Sequence, residues 1–279
     1  MTVTIIGTGL IGGSMALALK RHRIAKRIIG IDTNKTHIRK ALALKLIDET
    51  LPLNEAIQQS DLIILAIPVD STRQLLPKVM DHVSSQVVMD VGSTKAPIVE
   101  SIEDHPKRSR FVATHPMWGT ENSGPEAAVK SAFEGKVTVI TDKERSDTDA
   151  LALVKKIYEK LQMKILYMNS VEHDLHTAYV SHISHITSFA LANTVLEKEK
   201  KEKTIFDLAS GGFESTVRLA KSNPQMWVQI FLQNKSNILD VLDEHIHQLQ
   251  MFRTVIKNGN DDELQNLITH ANKIRKILK

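Results

Sequence analysis

The sequence predicts an α/β fold: a Rossmann-type doubly wound parallel sheet followed by an all-helical dimerisation domain. Short β-rich runs alternate with helical patterns up to about residue 168, which is the order of a parallel sheet with crossover helices. Runs such as 62–67 are apolar without alternation, as in strands buried on both faces. After residue 168 the strand signal disappears. We therefore expect one domain over residues 1–168 and a second over 169–279.

The first domain contains seven strand candidates, at residues 3–6, 27–31, 62–67, 87–90, 110–113, 136–141 and 164–168. Helical patterns lie between them, for example at 12–22, 34–45 and 71–82. Ligands of such sheets bind beyond the carboxyl ends of the strands. Polar residues just after these runs are therefore the first candidates for a functional site.

The second domain shows helical patterns alone. Asn169 or Ser170 can cap a helix that continues to about residue 203, and Gly211-Gly212 interrupts the pattern. Further helices are predicted at 215–221, 224–257 and 261–278. Long helices of this kind often pack against a second copy, so we expect a homodimer through this domain.

The chain begins with a dinucleotide-binding fingerprint. The β-branched run 3–6 leads into Gly7–Gly12, which has the GxGxxG spacing, and a helical pattern follows. Asp32 comes twenty residues later, after a second β-rich run. In this motif a helix N-terminus binds the pyrophosphate and the acid binds the ribose diol. The residues expected to bind the dinucleotide are Gly7, Gly9, Leu10, Ile11, Gly12 and Asp32.

The same acid favours NAD over NADP. The carboxylate of Asp32 would repel a 2′-phosphate, which usually needs a nearby Arg. Lys35, three residues after Asp32, stays open as a partner for that phosphate.

The composition narrows the class of protein. The 279 residues include 36 Lys and Arg against 32 Asp and Glu, no cysteine, and no apolar run that approaches the roughly 20 residues of a membrane span. The positive charge is scattered, so we expect no nucleic-acid partner and no membrane partner. The mild positive balance suits a small anionic substrate. The lack of cysteine and of a signal peptide fits a cytoplasmic location.

Two polar clusters follow the fourth and fifth strand candidates. The first, 90–95, contains Ser93, which is either a helix cap or part of the ligand rim. The second, 114–121, places His115 just past a buried strand. A histidine there is suited to proton transfer near neutral pH, with a structural role as the alternative.

A third cluster lies on the first long helix of the second domain. At 100° per residue, Asp174, Ser181 and His185 fall in one stripe, so Ser181 and His185 can share a polar cleft. His182 falls on the apolar side, where a half-buried position with a structural hydrogen bond is expected. His182 and His185 have the spacing of a metal pair, but no further ligand set is clear, and we expect no metal.

Arg218 is the remaining polar candidate. It follows the flexible break at 210–213 and is interpreted either as a solvated helix charge or as a bidentate clamp for a carboxylate. Trp227 and Phe231, one helical turn apart, are more typical of a core or dimer contact.

These motifs, in this order, resemble the prephenate dehydrogenase family over nearly the whole chain. They are the glycine loop, Gly92–Lys95, His115–Glu121, Ser181–His185, Gly211–Phe213 and Arg218–Ser222. The resemblance implies oxidation and decarboxylation of prephenate to 4-hydroxyphenylpyruvate with NAD, in tyrosine biosynthesis, by a dimer with intertwined helical domains. We expect neither a fused chorismate mutase nor an ACT domain.

The resemblance also implies roles for the candidate residues. His115 would deprotonate or hydrogen-bond the ring 4-hydroxyl while hydride leaves C4, and Ser93 would orient that hydroxyl or His115. Arg218 would hold a substrate carboxylate. The residues that would complete the substrate pocket are Ser181, His182, His185, Thr120 and Glu121. Asp174 and Trp227 match positions at its entrance or behind it.

The chain departs from the family pattern at two places. Residues 214–217 replace a more usual aspartate and threonine pattern before Arg218, and Trp118 is bulkier than the residue often found there.

Three other functions stay open. Arogenate dehydrogenase would favour an acid over the substrate's ammonium, which Glu121 or Asp174 could supply. Another NAD-dependent hydroxyacid dehydrogenase would commonly need a catalytic Lys on the long helix, where none precedes Lys198. A non-catalytic NAD sensor is the third alternative.

Overall fold

Seven strands form one sheet in the computed structural model, which describes residues 1–277. They are β1 Thr2–Ile6, β2 Arg27–Ile31, β3 Leu62–Leu65, β4 Val87–Asp90, β5 Phe111–Pro116, β6 Val137–Thr141 and β7 Lys164–Met168. Their order across the sheet is β2-β1-β3-β4-β5-β6-β7. All seven strand predictions are confirmed. β3 ends two residues early, and β5 continues three residues further than expected.

The sheet is parallel, as predicted, except at one pairing. β5 and β6 pair antiparallel, with His115 opposite Val139, whereas every other pairing is parallel. The connection between them carries only the 3₁₀ turn Pro125–Ala127 and no crossover helix. Because a parallel pairing needs such a crossover, the chain returns in the opposite direction.

Both faces of the sheet are buried, as the uninterrupted apolar runs indicate. Along β3, Leu62 and Ile64 belong to one apolar cluster, and Ile63 and Leu65 belong to another. Successive side chains of a strand point to opposite faces, so the two clusters are the two sides of the sheet. The second cluster also contains Trp227.

Twelve α-helices are described between residues 1 and 277. They are α1 Leu10–Arg21, α2 Lys35–Ala43, α3 Leu53–Gln58, α4 Val69–His82, α5 Ala96–Glu100, α6 Thr148–Lys160, α7 Ser170–Thr177, α8 Ile183–Glu199, α9 Gly211–Val217, α10 Pro224–Gln233, α11 Lys235–Asn258 and α12 Asp261–Ala271. The helices predicted at 12–22, 34–45 and 71–82 are α1, α2 and α4. After Met168 the described chain contains only helices and loops, as expected.

The long helices of the second half differ from the predictions in their continuity. The helix capped by Asn169 contains a π-helical turn, Ala178–His182, between α7 and α8. Gly211 begins a helix rather than breaking one, and the 3₁₀ segment Arg218–Lys221 follows α9. The helix expected over 224–257 is interrupted at Asn234.

The last predicted helix, 261–278, is shorter than expected. α12 gives way to the 3₁₀ segment Asn272–Lys276, and residue 278 lies outside the described residues. No helix between residues 1 and 277 has the length and apolar character needed to cross a membrane. The chain divides into two compact units, Met1–Asn234 and the part that begins at Lys235. All candidate site residues lie in the first unit.

Candidate active site

The glycine loop after β1 is a tight turn that only glycine can form. Gly7 has φ +97°, and a Cβ there would collide with the carbonyl of Ala66. A Cβ on Gly12 would collide with the carbonyl of Gly7. A Cβ built on Gly9, in contrast, has no atom of the described chain within 4 Å, so space is open above the start of α1.

The amides at this helix start can bind an anion. Gly9 caps α1 without a side-chain hydrogen bond, and the first turn carries no acid. The first N–H groups of a helix have no partner within the helix and form the positive end of its dipole. The loop therefore has the backbone and the free space that a pyrophosphate requires.

Asp32 follows β2 and is tied to the same loop. Its Oδ2 accepts hydrogen bonds from the backbone N–H of Thr8 (3.0 Å) and from Thr8 Oγ1 (3.1 Å), and its Oδ1 accepts from the N–H of Asn34 (2.8 Å). His37 Nδ1 also lies 3.4 Å from Oδ2. Oδ1 accepts one hydrogen bond, so capacity remains on that oxygen for a ribose hydroxyl. Lys35 is exposed at the start of α2.

A buried ion pair supports the ends of β4 and β5. Lys95 and Asp90 have fully buried side chains in direct contact, and Lys95 Nζ also donates to the carbonyl of Thr114 (2.7 Å). Asp90 accepts from the backbone N–H groups of Gly92 (2.8 Å) and Thr114 (3.1 Å). These bonds fix the Ser93 loop next to β5. Ser93 is half-buried there and makes no hydrogen bond within residues 1–277.

His115 lies within β5 rather than after it, because the pairing with β6 extends the strand through Pro116. Its Nδ1 is 2.9 Å from Nε2 of His173, the two rings meeting edge to face. His173 Nδ1 is in turn 2.8 Å from Oδ1 of Asp174. His173 and Asp174 are buried, at 0% and 3% exposure, and His115 is half-buried.

The surroundings keep His115 neutral. Burial first, and then the nearby His173 and Lys95, hold the pKa of His115 well below the ordinary 6.5. Burial also lowers the pKa of His173, although Asp174 opposes the shift. His115 is therefore an uncharged imidazole at neutral pH, which is the form that can accept a proton.

Asp174 does not face the polar stripe that helical periodicity predicted. Its Oδ1 accepts from the backbone N–H of Lys95 (2.7 Å) and its Oδ2 from that of Ala96 (2.9 Å). The carboxylate therefore joins α7 to the loop that carries Ser93. The π-helical turn that follows changes the angular register, so an extrapolation at 100° per residue fails beyond it.

His182 is buried beside this turn, with the structural hydrogen bond that was expected. Asn234 Nδ2 donates to the carbonyl of Asp174 (2.6 Å) and contacts Nδ1 of His182 (3.1 Å). The amide thus satisfies a carbonyl next to the π turn. Burial lowers the pKa of His182 to about 4.

His185 and Ser181 lie one turn further along. The ring of His185 stacks on Trp227 with centroids 3.5 Å apart, and its Nδ1 lies 3.1 Å from the carbonyl of Ser181. Burial lowers the pKa of His185. His182 also meets Trp227, edge to face. Both histidines therefore contact one indole, and Ser181 stays half-buried beside them.

The loop after β5 reaches the short helical segment that follows α9. Arg218 Nη1 and Glu121 Oε2 form an ion pair of 3.0 Å. This contact supports the Arg218 guanidinium. Residues 214–217, where the family pattern has an aspartate, do not supply that support. Thr120 Oγ1 accepts from the N–H of Asn122 (3.2 Å). Trp118 packs edge to face on Phe133 and joins the apolar core.

Sequence reasoning missed three members of this arrangement: His173, Lys95 and Asn234. His173 adjoins Asp174, which was considered, and Lys95 lies in the 90–95 cluster but was given no role of its own. The sequence contains no local signal for Asn234, whose side-chain contacts with Asp174 and His182 span more than 50 residues. No group of three or more His, Asp or Glu among residues 1–277 is placed to hold a metal ion.

Comparisons with known proteins give consistent matches. The family model for the prephenate dehydrogenase nucleotide-binding domain matches residues 15–167, and the model for the prephenate dehydrogenase dimerization domain matches 169–270. A prephenate dehydrogenase of Bacillus subtilis is 34% identical over 269 residues, covering 94% of this chain and 72% of the relative. A cyclohexadienyl dehydrogenase of Zymomonas mobilis is 30% identical over 280 residues, covering 99% of this chain and 96% of the relative.

A solved structure is similar over the full length. The prephenate dehydrogenase from A. aeolicus in complex with hydroxyphenyl propionate and NAD+ superposes with a TM-score of 0.92 at 32% identity, covering 100% of this chain and 98% of that one.

Proposed function

The chain belongs to the prephenate dehydrogenase family, and on that basis we propose which residues perform its reaction. It is an NAD-dependent oxidoreductase that oxidises and decarboxylates prephenate to 4-hydroxyphenylpyruvate, a step towards tyrosine. We assign cofactor binding to residues 1–168, and substrate binding and dimerisation to 169–279.

The glycine loop and Asp32 fit NAD. The space above Gly9 and the free N–H groups at the start of α1 suit the pyrophosphate, with Leu10, Ile11 and Gly12 forming the first turn. Asp32 accepts from the adenosine ribose and repels a 2′-phosphate. When bound, NAD supplies the acceptor for the hydride that leaves C4 of the substrate.

His115 acts as the general base. Its Nδ1 is occupied by His173, so Nε2 is the ring nitrogen left for the substrate's 4-hydroxyl. His115 accepts the hydroxyl proton as carbonyl character develops at C4, which its lowered pKa permits at neutral pH. Ser93, fixed by the Lys95–Asp90 pair, orients the same hydroxyl. Loss of CO₂ then aromatises the ring and needs little assistance.

Arg218 holds a substrate carboxylate. Glu121 already fixes the guanidinium by one nitrogen, which leaves other N–H groups of its planar fork for the substrate. Thr120 lies in the same loop. We propose that Ser181, His182 and His185 border the remainder of the substrate pocket.

Prephenate is favoured over arogenate by the state of two acids. Asp174 uses both oxygens on backbone N–H groups and on His173, and it is buried. Glu121 is paired with Arg218. Neither carboxylate is left unpaired for the ammonium group of arogenate, whereas the keto group of prephenate needs no such partner.

The helical part of the chain supports a homodimer. It leaves large apolar side chains exposed, among them Val180 (69%), Leu232 (62%) and Ile256 (63%). Such surface is typical of an interface, and the dimerization-domain model matches this region. We place the enzyme in the cytoplasm because the relatives act in biosynthesis of a small metabolite.

The hydrogen bond that leaves only Nε2 of His115 available is the observation that carries the proposed roles. The test is absorbance in the NADH band with prephenate and arogenate, each with NAD and NADP. We expect turnover with prephenate and NAD, and near-complete loss of it in His115→Asn. Preferred turnover of arogenate would contradict the substrate assignment, and an active His115→Asn would contradict the role of His115.

A further inference from the structure

We propose that His173 is a positioning residue that, anchored by Asp174, holds the proton of His115 on Nδ1 and so presents an unprotonated Nε2 to the substrate. The inference rests on the proposed role of His115 as the base. It assigns a function to a buried pair that the reaction itself does not touch.

The direction of the hydrogen bonds follows from Asp174. Both of its oxygens accept backbone N–H groups, from Lys95 and Ala96. A group that accepts at both oxygens is a carboxylate, so it also accepts from His173, and the proton of His173 lies on Nδ1.

The same logic then fixes His115. In a neutral His173 with its proton on Nδ1, Nε2 is an acceptor. The 2.9 Å contact with His115 therefore requires that His115 Nδ1 carry a proton and donate it. A neutral His115 protonated on Nδ1 has its lone pair on Nε2, which is the nitrogen left for the substrate.

Burial makes this arrangement strict. His173 is fully buried and Asp174 is 3% exposed, so water does not replace either partner. An unpaired donor or acceptor in such a place costs about 1–3 kcal/mol, and reversal of the proton order would create one at Asp174. Free imidazole has no such constraint and exchanges between tautomers.

Amide substitutions separate the two bonds of His173. The side-chain amide of Gln reaches roughly to the position of Nε2, so His173→Gln keeps an acceptor for His115. The shorter Asn reaches only the position of Nδ1, so His173→Asn keeps the bond to Asp174 and loses the one to His115. His176→Asn, exposed on the same helix, is the matched control.

We would measure kcat and KM for prephenate, Kd for NAD, the thermal midpoint, and the tautomer of His115 by two-dimensional ¹H–¹⁵N NMR of the imidazole in the unliganded protein. In His173→Asn we expect kcat to fall roughly 10- to 100-fold, less than the full worth of a general base. KM and Kd should change less than threefold. The Nδ1–H form of His115 should no longer dominate, and His173→Gln should restore it together with most of kcat.

Each result decides the inference. Retention of the Nδ1–H tautomer of His115 in His173→Asn would overturn the inference. So would an equal loss of kcat in His173→Gln and His173→Asn if the Nδ1–H tautomer of His115 is restored in His173→Gln. If His173→Asn is too unstable to assay, the tautomer of His115 in the wild-type protein and in His173→Gln decides. An Nε2–H form of His115 in the wild-type protein overturns the inference. His115→Asn with normal turnover would instead defeat the proposed function, which is a separate outcome.

Discussion

Lys95 and Asp90 form an ion pair whose two side chains are both completely buried. The ammonium also donates to the carbonyl of Thr114, and the carboxylate accepts the N–H groups of Gly92 and Thr114. The pair therefore connects the ends of β4 and β5, from which Ser93 and His115 project. Two charges at this depth are stable only because each one is matched.

Removal of one partner should be costly. Lys95→Met keeps most of the stem but leaves Asp90 as a buried charge without a counterion, which typically costs about 3–5 kcal/mol. Urea unfolding should show this loss in the free energy of unfolding, while the slope of that free energy against urea concentration stays unchanged. Lys78→Met, at an exposed position of α4, is the control and should stay within about 0.5 kcal/mol of wild type. A loss below about 1 kcal/mol in Lys95→Met would contradict the structural role of the pair.

The pKa of His115 sets the pH dependence of the reaction. His115 is active when deprotonated, and its pKa is held below 6.5 by burial and by His173 and Lys95. The value of kcat/KM should therefore be constant near neutral pH and fall as pH decreases through that lowered pKa. His115→Asn should lose roughly 10²–10⁴-fold in kcat. An acidic limb centred above 6.5 in wild type would show that the base is another group.

Substitution of Lys95 should shift the acidic limb of the pH profile of kcat/KM. Because Lys95 lowers the pKa of His115, kcat/KM of Lys95→Met should begin to fall at a higher pH than that of wild type, provided that the variant is folded at the assay temperature. The Lys78→Met profile should coincide with that of wild type.

Arg218 should contribute mainly to substrate affinity. A carboxylate clamp acts in ground and transition states alike, so Arg218→Ala should raise KM with a smaller change in kcat. A charge-assisted hydrogen bond is worth about 1.5–3 kcal/mol, which corresponds to roughly 10- to 150-fold. Arg218→Lys should recover only part, since an ammonium lacks the planar fork. Kd for NAD should hardly change.

The control for this prediction is Lys221→Ala, because Lys221 lies on the same short segment and is exposed. If Arg218→Ala leaves KM unchanged while Lys221→Ala raises it, the clamp is Lys221. A parallel loss of NAD affinity would indicate a folding defect instead.

The sequence allowed the strands and the cofactor loop to be predicted because their signals are local. The apolar run at 62–65 is a strand buried on both sides, and Gly7 requires a positive φ, both of which follow from neighbouring residues. The antiparallel direction of β6 was not anticipated because it depends on the missing crossover helix. That absence is a property of a twenty-residue loop rather than of the strand.

The interior of the site was less predictable for a related reason. The prediction that Asp174, Ser181 and His185 share one stripe requires an unbroken α-helix. The structure instead has a π turn at 178–182. Asn234, 60 residues from Asp174, supports this turn. His173 likewise meets His115 across 58 residues. Periodicity describes one helix at a time, so contacts that join distant elements remain outside its reach.

Asp32 should determine the choice of cofactor, and the structure gives it two contributions. Its carboxylate repels a 2′-phosphate, and it also fixes the glycine loop through the N–H and hydroxyl of Thr8. Asp32→Ala should therefore weaken NAD binding and bring kcat/KM for NADP closer to that for NAD. Asp32→Asn removes the charge but keeps an acceptor for Thr8. NAD binding should therefore be retained better than in Asp32→Ala, while kcat/KM for NADP still rises.

Lys35→Ala serves as the control. If it reduces kcat/KM for NADP in Asp32→Asn, Lys35 is the partner of the 2′-phosphate. Equal kcat/KM for NAD and NADP in the unmodified enzyme would show that Asp32 does not discriminate between them.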